Sequence, residues 1–209
     1  MHSTSPFASQ TILVKKDGSM RRCIYYRKLN TVTKKDVHPL PRIKDIFDTL
    51  TGFKFFCTLD LTMNYNQVEV HPDDREKTAF STFFGLFQYV MPFGLATAPA
   101  TLMPLMTIVF SGMLSTTCLV YHDDIIVFGQ NFIEMLGRLD TALERLGQVN
   151  RKLKPSKCAF GKTSVNCLDH VISDKGISPD PEKLCRIKEW PRPHNPDEAR
   201  SFMGTATYY

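Results

Sequence analysis

The chain has 209 residues, 43% hydrophobic and 22% charged, so it carries enough apolar material for a substantial core and too much for a disordered chain. No apolar run approaches the roughly 20 residues of a membrane span, and the first twenty residues lack the apolar centre of a secretory signal. Lys and Arg exceed Asp and Glu by 26 to 21, a surplus that permits a nucleic-acid partner without demanding one. In chain order, Thr11 to Lys16 and Arg21 to Tyr26 flank Asp17-Gly18, which predicts a hairpin with a tight turn. Pro39 and Pro41 mark an extended stretch. Ile43, Ile46, Phe47 and Leu50 recur at helical spacing, with Gly52 as the stop. Residues 54–61 read as a strand with Phe55, Cys57, Leu59 and Leu61 on one face and Phe56, Thr58 and Asp60 on the other. Asn66 to Val70 reads as a short strand, and Ala98 to Leu114 as a helix that Pro104 should kink or break. Thr117 to Phe128 predicts a second hairpin with an acidic tip. Asn131 and Glu134 resemble a capping box, opening a helix with Ile133, Leu136, Leu139, Leu143 and Leu146. Residues 164–173 suggest one strand. Asp180-Pro181 and Asn195-Pro196 open two helices near the end, where the chain reads as entering a further module.

Six cysteines are scattered, with no C-x-x-C pair, so neither a zinc ribbon nor a dithiol redox site is indicated, and reduced thiols in an intracellular setting are expected. Gly161-Lys162-Thr163 ends like a phosphate-binding loop, but Ser156 stands where that loop needs its first glycine. The costly feature is Asp123-Asp124, placed between Cys118-Leu119-Val120 and Ile125-Ile126-Val127-Phe128. Adjacent carboxylates in an apolar hairpin repel each other and pay for desolvation. A divalent cation resolves that cost, because hard oxygen ligands suit Mg2+. Asp60, on an otherwise apolar strand, is a third candidate ligand. Strand alternation turns Asp123 and Asp124 to opposite sides, so Asp60 and one of the pair are the expected main ligands. Two metals so held can activate a 3′-hydroxyl and stabilise leaving pyrophosphate.

Leu59-Asp60-Leu61, Lys77-Thr78-Ala79-Phe80, Met91-Pro92-Phe93-Gly94-Leu95, Ala98-Pro99-Ala100-Thr101 and Tyr121-His122-Asp123-Asp124 follow one another in a specific order. Ser5-Pro6-Phe7, Val14-Lys15-Lys16-Asp17-Gly18 and Tyr26-Arg27-Lys28-Leu29-Asn30 extend the pattern upstream, and Leu153-Lys154-Pro155-Ser156-Lys157-Cys158 extends it downstream. The chain resembles the reverse transcriptase of gypsy-type LTR retrotransposon Pol polyproteins over nearly its whole length. The resemblance implies an α+β right-hand polymerase, with a small antiparallel palm sheet packed on helices. It implies fingers and the approach to the palm in 1–58, palm and fingers in 59–175, and the start of a connection or ribonuclease H-like region in 176–209. By motif, Asp60, Asp123 and Asp124 would hold two Mg2+ ions, with Mn2+ as substitute. Lys15 or Lys16 and Arg21 would hold the triphosphate. Tyr65 would lie under the incoming sugar and exclude a 2′-hydroxyl, and Phe93 would lie against the nucleotide. Lys157 would protonate pyrophosphate, and Leu168-Asp169-His170 would position the primer end. His122 receives no role.

The implied partners are dNTP and a primed RNA or DNA template, with no membrane, in a cytoplasmic particle or the nucleus; no oligomeric state is implied. The chain departs from the family pattern in several places. Met20 and Tyr25 replace a tryptophan and an acid, and Met63-Asn64 replaces a small pair before Tyr65. Leu102-Met103-Pro104 replaces phenylalanine-glutamine, and Asp169 stands where glycine is expected. The stretch from Gly85 to Met91 is one residue short. These departures suggest a partly degenerate copy, and the tail that reads as entering a further module suggests a truncated one. The alternatives are therefore a catalytically impaired relic that still binds nucleic acid, a metal-dependent nuclease on the same acids, or a DNA-templated polymerase.

Overall fold

The computed structural model describes residues 2–16, 18–34, 41–62, 67–89, 94–121 and 124–208, with backbone alone at positions 16, 19 and 21. Strands β1 (Thr11–Lys16) and β2 (Ser19–Ile24) pair antiparallel, with Lys16 opposite Ser19, and Gly18 at φ 74° fits the tight reversal. Helix α1 (Arg27–Val32) follows; its Asn30 side chain donates to Gly94 O and accepts from Ala96 N, both at 2.8 Å. The sequence reading missed this helix. It also missed the 3-10 turn Pro72–Thr78 and the hairpin β4 (Phe80–Thr82) and β5 (Gly85–Phe87). These parts share a small core of Ile24, Tyr26 and Phe80. Tyr26 donates its hydroxyl to Thr78 O at 2.7 Å, so the buried ring ties the N-terminal hairpin to the 3-10 turn.

The second unit is a four-stranded antiparallel sheet in the order β6-β7-β3-β8, built from β3 (Phe55–Asp60), β6 (Cys118–Tyr121), β7 (Asp124–Gly129) and β8 (Ala159–Lys162). Both faces are buried, which explains why β3 is apolar on both sides of its alternation. Cys57, Leu59 and Leu61 pack with α3 (Ala98–Val109) and α4 (Phe132–Gln148). Phe56 packs on the other face with Ile46 and Leu50 of α2 (Ile43–Leu50) and with Val165, Cys167 and Ile172. Helix α2 stops before Gly52, at φ 88°, as its spacing predicts. Helix α4 opens on the expected cap: Asn131 Oδ1 accepts from Glu134 N at 2.9 Å, and Glu134 reaches back to Gln130 N at 2.8 Å. Gly129 is required at the β7–α4 junction, because a Cβ there would stand 2.6 Å from Met135 N.

Three expectations are corrected. Residues 67–70 form no strand. Instead, Gln67 Nε2 donates to Thr62 O and to Lys152 O, while Lys152 N donates to Gln67 Oε1 at 2.8 Å. A side-chain amide here takes the place of a backbone ladder, which alternation of apolar residues cannot reveal. Helix α3 ends at Val109 rather than Leu114 and runs on through Pro104 without a break. Residues 164–173 are two strands, β9 (Ser164–Cys167) and β10 (His170–Ser173), followed by β11 (Gly176–Pro179), in one antiparallel meander. Leu168 and Asp169 reverse the chain with φ 50° and 61°, the left-handed pair of a type I′ turn, from residues that do not advertise it. Helices α5 (Pro181–Lys188) and α6 (Pro196–Tyr208) follow, and the Asp180 side chain caps α5 from Glu182 N as expected. The readings that fall on Pro39, Met63-Asn64 and Met91-Pro92 lie outside the described residues. Among the described residues no helix is long and apolar enough to cross a membrane.

Candidate active site

The β3–β7 ladder runs in register from Phe55 opposite Gly129 to Asp60 opposite Asp124. Sixty-three intervening positions are thereby folded back so that two acids become direct cross-strand partners, whose Cα atoms in any antiparallel ladder lie about 4.5–5.5 Å apart. Asp60 follows the parity of Phe56 and Asp124 that of Ile126 and Phe128. Both therefore stand on the sheet face covered by α2, β9 and β10. Like charges in that relation repel. Asp60 is partly relieved by Lys157, whose Nζ lies 3.1 Å from its Oδ2. The end of β3 is also pinned from the backbone, since Lys154 N donates to Asp60 O at 2.8 Å. Asp60 N lies 3.5 Å from Cys158 Sγ. The turn Pro155–Lys157, which the sequence offered only as a motif, thus brings a cation to the acid.

Asp124 stands on the sheet face that β9 covers. The thiol of Cys167 on β9 is pushed up to about 12, by burial first and by the charge of Asp124 second. Strand β9 leads into the Leu168-Asp169 turn. That turn is fixed on several sides. His170 Nδ1 lies 2.9 Å from Leu168 O, and Tyr208 donates its hydroxyl to the same oxygen at 2.9 Å. The His170 ring, buried, packs 4.8 Å from Phe47. Asp180 N donates to Asp169 O at 3.0 Å, and Lys183 Nζ sits 3.0 Å from the Asp169 carboxylate. The added negative charge at 169 is thus paired within the chain. Lys183, Tyr208 and Gln67 had no signal in the sequence beyond being polar or aromatic, since Lys183 meets a carboxylate, and Tyr208 and Gln67 meet backbone groups, far away along the chain.

On the first hairpin, β1 and β2 place Val14 opposite Arg21 and Leu13 opposite Arg22. Positions 16 and 21 share one face, and Lys15 falls on the other. Of the remaining expected site residues, Asp123, Tyr65 and Phe93 lie outside the described residues, as does His122. Among the described residues no group of three or more His, Cys, Asp or Glu side chains is arranged to hold a metal ion. Asp60 and Asp124 fit a hard divalent cation in donor type, two oxygen ligands in register and already drawing an ammonium group.

A four-stranded antiparallel sheet backed by two helices, carrying paired acids at the meeting of two strand ends, is the palm of a right-hand polymerase. The chain belongs to the reverse transcriptase (RNA-dependent DNA polymerase) family, whose profile matches residues 13–172. That family is one of nucleotidyltransferases. The chain is 39% identical to the retrovirus-related Pol polyprotein from transposon 297 of Drosophila melanogaster, over 99% of this chain and 20% of the relative. It is 37% identical to the corresponding polyprotein from transposon gypsy of the same fly, over 99% of this chain and 21% of the relative. It thus spans about a fifth of the length of these curated relatives. The fold matches part of foamy viral protease-reverse transcriptase. The TM-score is 0.91 to the dRH form in complex with double-stranded DNA, at 21% identity, covering 100% of this chain and 37% of that one. Against the same enzyme in complex with an RNA/DNA hybrid it is 0.86, at 20% identity, covering 100% and 28%.

Proposed function

We propose that the chain carries the polymerase centre of an RNA-directed DNA polymerase. It would transfer dNMP from dNTP to a primer 3′-hydroxyl on an RNA or DNA template. The observation that carries this reading is the register of Asp60 opposite Asp124. In the transfer, the primer O3′–Pα bond forms as the bond from Pα to the pyrophosphate oxygen breaks. Asp60 and Asp124, with Asp123, would hold two Mg2+ ions, or Mn2+, which supply the charge that activates the 3′-hydroxyl and stabilises the leaving group.

Lys157, already at the acid, would give its proton to the departing pyrophosphate. Lys16 and Arg21, on one face of the first hairpin, would bind the triphosphate, Arg as a fork and Lys as a point charge. Register favours Lys16 over Lys15 for this part. Tyr65 would block a ribose 2′-hydroxyl by contact, and Phe93 would support the nucleotide. The Leu168-Asp169-His170 turn, held beside Asp124, would seat the primer end. The division into fingers (1–58), palm and fingers (59–175) and connection (176–209) goes with the same reading. The foamy viral structures in complex with double-stranded DNA and with an RNA/DNA hybrid support nucleic acid as the partner. Two departures from the family pattern are accommodated, Pro104 within a continuous helix and Asp169 by Lys183, and this weighs against the relic reading.

Single-dNTP incorporation on a primed RNA template tests the proposal. Wild type should extend the primer with Mg2+ or Mn2+, Asp60→Asn should not, and Tyr65→Ala should admit rNTP. No extension by wild type, with equal duplex binding by wild type and Asp60→Asn, would establish the relic reading. Metal-dependent cutting of unprimed nucleic acid would establish the nuclease reading.

A further inference from the structure

The first hairpin has a second face that the polymerase reading does not use. Register puts Leu13 opposite Arg22 and Lys15 opposite Met20 on that face, away from positions 16 and 21. A groove of about 770 Å³ lies between this face and the β4–β5 hairpin, with Arg22, Leu13, Gln10, Phe83 and Phe84 among its lining residues. Among the described residues no acidic side chain lines it. Thr11 Oγ1 donates to Ser81 O at 2.8 Å, and Ser81 N donates to Ser9 O at 3.0 Å, so its two walls are bonded together. The tip between β4 and β5 carries Phe83 and Phe84, 99% and 83% exposed, with ring centroids 5.7 Å apart and planes at 90°. Leu13 and Met20 are also exposed, each 62%.

Two neighbouring phenyl rings held in water at a tight reversal bury almost nothing within the chain. A turn alone would be better served by Asn, Asp or Gly. Rings at the mouth of a groove lined by a guanidinium match a ligand with flat apolar faces and a repeating negative charge. Single-stranded nucleic acid has both, and its bases stack on aromatic side chains whatever their sequence. A duplex hides those faces, so the groove selects unpaired strand. We propose that this outer groove of the N-terminal unit binds single-stranded DNA or RNA, its bases stacking on Phe83 and Phe84 and its phosphates meeting Arg22 and Lys15. The site lies on the opposite face of the hairpin from the proposed triphosphate positions and needs neither dNTP nor metal, so it stands apart from the polymerase reading.

Fluorescence anisotropy of the 209-residue chain with labelled dT12 and U12, in EDTA and without dNTP, tests it against a blunt duplex of equal length. Stacking lost per base is about 1–3 kcal/mol, or roughly tenfold in affinity for the first base. Phe83→Ala/Phe84→Ala should weaken binding of both oligomers about tenfold and leave blunt-duplex binding within twofold. Arg22→Gln should weaken the oligomers and flatten their salt dependence. Photocrosslinking of a bromodeoxyuridine oligomer should map to residues 83–84. Unchanged oligomer affinity in the double variant, equal loss for duplex, or crosslinks elsewhere would overturn the proposal. So would a dimer of the protein alone that the double variant abolishes, because the rings would then serve a second copy of the chain.

Discussion

Replacing Asp124 by Asn removes one of two charges that face each other across β3 and β7. At a separation of about 5 Å, two unit charges repel by roughly 0.8 kcal/mol in water and about 3 kcal/mol at an effective dielectric of 20. Asp124 is exposed and Lys157 offsets part of the charge on Asp60, so the low end applies, about 0.5–1 kcal/mol. Without divalent ions, Asp124→Asn should therefore be more stable than wild type, by about 1–4 °C in Tm for a chain of this size. With Mg2+ at ten times its dissociation constant, wild type should gain about 1.4 kcal/mol, or roughly 3–6 °C. If the lost carboxylate weakens the ion tenfold, the variant at the same concentration gains only about 0.4 kcal/mol, or roughly 1 °C. The variant's lead in EDTA should thus vanish or reverse in Mg2+, read by differential scanning calorimetry. A variant less stable than wild type in EDTA, or an equal rise for both on adding Mg2+, would refute the reasoning that these acids form a shared cation site.

Three further outcomes are expected. Asn131→Ala should cost about 1 kcal/mol in urea unfolding, since it leaves Glu134 N without its cap at the start of α4. Burial pushes the thiols of Cys118 and Cys167 up to about 12. Their native forms keep a proton that the unfolded chain gives up above about pH 9, so this stability is whole below pH 9 and falls as pH rises toward 12. Each thiol should add about 1.4 kcal/mol of loss per pH unit in that window, and Cys118→Ala/Cys167→Ala should flatten the alkaline limb of a urea-midpoint curve. Finally, Lys183→Ala should destabilise wild type by less than about 1 kcal/mol, and Asp169→Gly should abolish that effect in a double-mutant cycle. An undiminished effect of Lys183→Ala in the glycine background would show that the pair is not what holds the turn.

The parts legible in the sequence were those whose forces act within one turn or one strand. Gly18 sets a reversal by its own conformational freedom, and the side chains of Asn131, Glu134 and Asp180 satisfy amides two to four residues away. The alternation of residues 54–61 predicted which side chains of β3 face which layer, because the period of a strand is a property of its own backbone. The acids were legible as costly residues. Which of Asp123 and Asp124 faces Asp60 was not, since alternation fixes only that one of them does. That choice came from register, which depends on the simultaneous burial of Phe56, Ile126 and Phe128 against α2 and β9 and of Leu59, Val127 and Ile125 against α3 and α4. Slipping the ladder by one residue would turn both sets to the wrong layer. Tertiary structure alone also turned one expected strand into two at Leu168-Asp169, replaced another by the Gln67 clamp, and set Lys157 on Asp60 and Lys183 on Asp169. Each of those contacts joins groups far apart in the chain, so its energy exists only once the core has closed.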